Sequence, residues 1–375
     1  METLELKNEV TVGRKRFQIQ TSYVESTRSL SSTIMHEAAL IFKKEERFDH
    51  DEPEAIKERL GLIHREMITE MELLYYIADK VKSLKHPVSN NKLGLVFLKR
   101  NLIEEAIEQF KLAITREPNF LEAINNLGMA YLLENSYEEA LKAFSKGINL
   151  QENYADLHNN IGYTKFELKK YPEAIQAFEQ ALQINPDYAE VHFNLGLTYL
   201  KVLQEQVELP DFADYEKVKE KSLEHIMFAA ELMPPDNIKY FDRINEQLKN
   251  GKYEDALEVA EVIKNNLLKN RYAIEFENEF YLKFMFGGKG KDDRFITEYT
   301  QILLEAINRY PNFADLRNNL GIAYLIQCRN LFLKALDEFR QALKINPVFK
   351  KAEKNLKLAE NDGKGFLILL RAILK

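Results

Sequence analysis

The sequence predicts a mostly α-helical repeat array behind a small antiparallel sheet and one long helix, and three observations carry that expectation. Glycines recur at a fixed interval through the middle of the chain, a polar–apolar alternation opens it, and apolar residues three or four apart fill the stretch between. The segments divide at 1–86, 87–349 and 350–375.

The alternation comes first. Phe17, Ile19, Thr21 and Tyr23 interleave with Gln18, Gln20 and Ser22, which is the period of a half-buried strand. Val10 to Val12, ahead of Gly13-Arg14-Lys15, supply a hairpin partner, and two further strands are expected at 30–36 and 40–46. From 53 to about 85 the period changes: Ile56, Leu60, Ile63, Met67, Met71, Leu74, Ala78 and Val81 form one stripe on a long helix. That stripe can pack on the sheet and the first repeat. It can equally form the seam of a homodimer through 1–86.

The glycines set the rest of the frame. Gly94, Gly128, Gly162 and Gly196 lie 34 residues apart, each after Leu or Ile. Ala106, Ala140 and Ala174 follow at 12 residues, and Phe110, Phe144 and Phe178 four residues later. Pro118 and Pro186 close the first and third units, and Glu152 stands at that place in the second. A further unit carries Leu320, Gly321, Tyr324, Ala335, Phe339, Ala342 and Pro347.

These residues resemble the tetratricopeptide repeat (TPR), whose 34-residue signature runs Leu-Gly, an aromatic, Ala, Phe and Pro. The resemblance implies a right-handed α-solenoid in which each unit is two antiparallel helices, with Gly and Ala at their closest approach. Gly321 lies 125 residues after Gly196, three periods plus 23 residues, so two degenerate units are expected between them. Ser222, Ala229 and Pro234 resume the pattern after a loop within 202–221, and a second loop surrounds 286–294. The total is seven repeats over 87–349, two degenerate and two with long loops, followed by capping helices over 350–375. The apolar segment 366–374 either caps the array or meets a partner.

In such arrays the first helices of successive repeats line a concave groove. Two residues before the glycine stand Asn126, Asn160, Asn194 and Asn319, with Asn125, Asn159 and Asn318 just ahead of three of them. A similar row, in the repeats that open nucleotide-sugar glycosyltransferases acting on Ser and Thr, grips the backbone of an extended peptide. An amide carries both donor and acceptor, so it suits a peptide of almost any sequence. Lys92, Asp242 and Phe276 break the row, leaving a continuous grip over repeats two to four. Four residues before each asparagine is an acid, Glu122, Asp156, Glu190 or Asp315, which favours a partner with Lys or Arg side chains. Repeats that clamp the carboxylate tails of cytosolic chaperones use lysine where Asn125, Asn159 and Phe193 stand, so that clamp is not expected.

Composition excludes several other classes. A formal charge of -7 offers no basic field for nucleic acid. A single cysteine, Cys328, forms neither an internal disulfide nor a thiolate metal cluster. No signal peptide or transmembrane segment is evident. His158 and His192, one period apart, are expected to pack where the signature has an aromatic, and Gly287-Gly288-Lys289-Gly290-Lys291 lacks the order of a phosphate-binding loop. No catalytic residues, metal site or cofactor are expected. The sequence therefore predicts a cytoplasmic, non-enzymatic scaffold that binds an extended protein segment. The alternatives are an assembly or regulatory factor for a pilus, secretion or polarity machine, and the substrate-recruiting subunit of an enzyme.

Overall fold

The computed structural model describes residues 4–49, 52–209, 214–233, 237–273, 276–289, 292–309 and 314–373, without the side chains of 265–273, 276, 309, 315 and 362–373. Pro234 and the side chains of Phe276, Asp315 and 366–374 lie outside the described residues. The chain divides into two units, Met1–Glu275 and Phe276–Lys375.

The first unit opens with a meander of β1 (Glu5–Val12), β2 (Lys15–Val24), β3 (Ser29–His36) and β4 (Ala39–Arg47), paired in sequence order. The β1–β2 turn holds Gly13 and Arg14 at φ 57° and 65°, the geometry that matches strand twist in a two-residue hairpin. Glycine is needed at this turn for a second reason: a Cβ at Gly13 would fall 2.0 Å from the Tyr75 ring. Alternation then sends Phe17, Ile19, Leu30, Ile34 and Ile41 to one buried face.

Helix α1 (Pro53–Leu84) covers that face with Ile56, Leu60, Ile63, Met67, Met71, Leu74 and Val81. Ile77 is buried where the spacing predicts Ala78, which is half-buried. One polar chain crosses this interface: Ser32 Oγ lies 2.6 Å from Thr21 Oγ1, which lies 2.9 Å from His64 Nδ1, and His64 Nε2 lies 3.0 Å from Asn8 Oδ1. Burial lowers the pKa of His64, and a neutral ring satisfies the chain by donating to Asn8 and accepting from Thr21. At its far end α1 meets the first repeat. The Tyr75 ring sits between Phe17 and Phe97, at 5.9 and 5.8 Å, and its hydroxyl donates to Glu105 Oε1 at 3.0 Å. The stripe is thus covered by the chain's own sheet and repeat, and a dimer seam along it has no free surface.

Ten helices continue the unit in antiparallel pairs. They are α2 (Pro87–Lys99) with α3 (Ile103–Arg116), α4 (Leu121–Leu133) with α5 (Tyr137–Leu150), α6 (Ala155–Glu167) with α7 (Tyr171–Ile184), α8 (Ala189–Glu205) with α9 (Tyr215–Leu232), and α10 (Ile238–Lys249) with α11 (Tyr253–Ala273). In the first three pairs a Cβ on Gly94, Gly128 or Gly162 would lie 2.4, 2.3 or 2.7 Å from the ring of Phe110, Phe144 or Phe178. The two helices pack this closely only because glycine lacks that atom. Between the helices, Asn101, Asn135, Lys169 and Gly251 turn the chain at φ 53°, 61°, 57° and 73°. Each stands five residues before the alanine of the second helix, Ala106, Ala140, Ala174 or Ala256.

The fifth pair keeps this frame and exchanges two sizes within it. Counted from Ala256, Ile244 occupies the glycine place and Ala260 the phenylalanine place, and both are buried in one cluster. The Leu-Gly signal is lost there without loss of the fold.

The second unit comprises α12 (Phe276–Met285), α13 (Asp293–Arg309), α14 (Ala314–Ile345) and α15 (Lys350–Ile373). Its core gathers Phe280, Phe284, Ile296, Tyr299, Leu303 and Ile326, with the Phe280 and Tyr299 rings stacked at 3.8 Å. The seventh repeat departs from expectation, because α14 runs through its turn as one helix. Gly321 and Ala335 are 14 residues apart where the first three repeats have 12, and Asn330 donates from Nδ2 to Asp293 Oδ1 on α13 at 2.9 Å. After it comes one helix, α15, in place of several capping helices.

Candidate partner-binding face

The first helices of repeats two to four, α4, α6 and α8, place the predicted rows side by side. Asn126 Nδ2 donates to Asn91 Oδ1 at 2.9 Å, Asn160 Nδ2 to Asn125 Oδ1 at 2.8 Å, and Asn194 Nδ2 to Asn159 Oδ1 at 3.0 Å. This is a ladder with one rung per repeat. Asn91 and Asn159 donate onward to Glu122 Oε1 at 2.8 Å and Glu190 Oε1 at 3.3 Å. The sequence reading has these amides facing an open groove; instead Asn159, Asn160 and Asn194 are buried and join neighbouring helices. The cause is the same donor-plus-acceptor chemistry, satisfied within the chain because successive first helices lie in contact.

The acids are more exposed than the buried amides they meet. Glu122 is exposed, and Asp156 and Glu190 are half-buried. Tyr188 donates its hydroxyl to Asp156 Oδ1 at 2.6 Å. The Tyr154 phenol is held above its ordinary range by burial first, then by the charges of Asp156 and Glu122. An acidic, tyrosine-flanked row therefore runs across α4, α6 and α8. Asn318 and Asn319 belong to the second unit, where Asn318 is exposed and Asn319 Nδ2 donates to Glu277 Oε2 at 3.1 Å. The Asp315 side chain is outside the described residues.

Helix α11 adds a feature that the sequence reading missed. It packs along α8, and Lys264 reaches α6, with Nζ 3.5 Å from Glu167 Oε1 and 5.4 Å from the centre of the Tyr163 ring. Burial works against the Lys264 ammonium, but Tyr163, Glu167 and Glu261 outweigh it and raise the pKa. Part of the face formed by α6 and α8 is thus covered by the chain itself. One signal was legible: Tyr253-Glu254-Asp255-Ala256 repeats Tyr137-Glu138-Glu139-Ala140 and marks the start of a second helix.

His192 packs as expected, its ring buried and stacked on Phe228 at 4.8 Å, and both histidines also make polar contacts. His158 Nε2 lies 3.0 Å from the Glu152 carbonyl and His192 Nε2 lies 2.8 Å from the Pro186 carbonyl, so each ties its helix to the preceding corner. His192 Nδ1 meets His225 Nδ1 at 2.9 Å. Burial, then the charge of His192, pushes His225 down to about 4. Among the described residues, no group of three or more His, Cys, Asp or Glu is placed to hold a metal ion. No described helix is long and apolar enough to cross a membrane.

Comparison with known proteins matches these repeats. The family model described as TPR repeat matches residues 129–169 and 162–202. The crystal structure of MamA is 20% identical with a TM-score of 0.36, over 45% of this chain and 90% of that one. The crystal structure of YrrB, described as a TPR protein with an unusual peptide-binding site, is 16% identical with a TM-score of 0.35, over 49% and 88%. The second TPR domain of human RPAP3, in complex with an HSP70 peptide, is 30% identical with a TM-score of 0.29, over 30% and 92%. No curated protein matches.

Proposed function

Because this chain is a tetratricopeptide-repeat protein, we propose that it is a non-catalytic cytoplasmic scaffold that holds an extended, basic segment of a protein partner across α4, α6 and α8. The observation that carries this reading is the row of Glu122, Asp156 and Glu190, spaced one per repeat and partly open to solvent. A carboxylate at each repeat matches an extended chain bearing Lys or Arg at intervals. Charge complementarity of that kind sets register and encounter rate. Asn125, Asn126, Asn159, Asn160 and Asn194 contribute by fixing the spacing between the first helices, and so between the acids. Any amide contact with the partner's backbone is secondary to that role.

The test is titration of fluorescent extended peptides, with lysine or arginine at varied intervals, against the wild type and a Glu122→Lys/Asp156→Lys/Glu190→Lys triple variant. Binding is expected to weaken at least tenfold in the variant and to fall with added salt in the wild type. Equal, salt-independent binding by both proteins would remove the acidic row as the contact surface. Thermal melts run beside the titration separate lost affinity from lost fold.

A further inference from the structure

The seventh repeat carries the sequence of a closed helix pair and the structure of an open one. Gly321 follows Leu as Gly94 and Gly128 do, and Ala335, Phe339 and Ala342 keep the spacing within the second helix, two residues further from the glycine than in the first three repeats. Asn330 stands five residues before Ala335, the place where Asn101 and Asn135 turn the chain. Yet α14 is continuous from Ala314 to Ile345. Along a straight helix, residues 18 apart are separated by about 27 Å, so Gly321 cannot meet Phe339 of its own chain.

Both halves of the contact are therefore left without their counterpart. Among the described residues nothing lies within 4 Å of a Cβ built on Gly321, whereas the equivalent glycines of the first three repeats press on phenylalanine. Ala335 is exposed and Phe339 half-buried, while Ala106, Ala140, Ala174 and Phe110, Phe144, Phe178 are all 0% exposed. Tyr324, on the glycine's half, is 48% exposed. Three closed copies within the same chain show what fits each surface: a Gly-bearing first helix takes a Phe-bearing second helix, antiparallel.

We propose that two copies of this chain exchange these halves, with α14 of each lying antiparallel to α14 of the other, so that Gly321 of one packs on Phe339 of its partner. Residue 330 stands midway between 321 and 339, so a two-fold axis through the middle of the helix pair satisfies both contacts at once. The contact is isologous and closes at two chains. It differs from a seam along α1, whose stripe is already covered, and it uses none of the residues of the acidic row on α4, α6 and α8.

Residue 330 supplies the test, because closing the repeat within one chain requires a turn there. Light scattering and sedimentation of the full chain are expected to give twice the 43.9 kDa chain mass in the wild type. Asn330→Gly favours positive φ and lets the repeat close on itself, raising the dimer dissociation constant at least tenfold. Asn330→Ala favours the straight helix and keeps the dimer. In a Cys328→Ser background, chains carrying Gly321→Cys mixed with chains carrying Phe339→Cys should form an inter-chain disulfide on mild oxidation. A strictly monomeric wild type overturns the proposal. So does a dimer that ignores both changes at residue 330, as an association seated in 1–86 would, and so does a Gly321→Cys/Phe339→Cys chain that forms its disulfide only within itself.

Discussion

Repeats one to three and repeat seven carry the same signature, yet the first three are closed pairs and the seventh is a single helix. What differs is the turn. Asn101, Asn135 and Lys169 leave the helical region within three-residue connections, whereas the interval from Gly321 to Phe339 is 18 residues against 16 in the first three repeats and Asn330 is engaged by Asp293. The signature therefore specifies which surfaces fit, and the connection decides whether one chain brings them together. A consensus position is evidence of complementarity before it is evidence of contact.

The strongest test of that contrast removes the same ring from both places. Phe144→Ala should cost about 3–5 kcal/mol, because the ring is fully buried against Gly128. Phe339→Ala, followed by hydrogen exchange at concentrations where the chain is monomeric, should cost well under about 1.5 kcal/mol. Equal losses would mean that the seventh repeat closes in solution. A smaller effect distinguishes the asparagines. Asn194→Ala leaves Asn159 Oδ1 without its donor in a buried site and should destabilise by about 1–3 kcal/mol, read from a denaturant titration. Asn319→Ala, at a half-buried position bonded to Glu277, should change stability little by the same measurement.

Acid provides the mildest probe. All seven histidines lie in the first unit and none in 276–375. His64 and His225 both have folded-state pKa values below the ordinary 6.5, His225 at about 4, so the unfolded chain binds more protons than the folded one between those values. Their contribution is complete above 6.5 and is lost as pH falls toward 4. Peptide-resolved hydrogen exchange at pH 7.5 and 5 should show the first unit opening more readily at the lower pH and the second unit changing less. His225→Phe should flatten that response.

Much of this fold was legible. Period-two alternation placed the sheet, the stripe from Ile56 to Val81 placed α1, and the glycine interval placed the first helix pairs. Two things were not. The asparagine row reads identically whether its amides face solvent or each other, because residue type reports hydrogen-bonding capacity and not the partner that meets it. Likewise the reach of α11 across α8 to Glu167 depends on a contact 97 residues apart, between Lys264 and Glu167, that no local spacing encodes. The seventh repeat failed in the opposite sense: its consensus residues were read correctly, and the straight connection overruled them.

The exchange of sizes in the fifth repeat bears on how such a chain can change over evolutionary time. Restoring the consensus at residue 260 alone, Ala260→Phe, would force a ring into a buried site already filled by Ile244 and its neighbours, while Ile244→Gly alone would open a void and weaken the helix. Either step is harmful and the pair together is tolerable, so the two positions are epistatic. Replacing this repeat by another of the same chain therefore requires both of its helices to be exchanged together, and the absence of Leu-Gly here records a different division of the same buried volume.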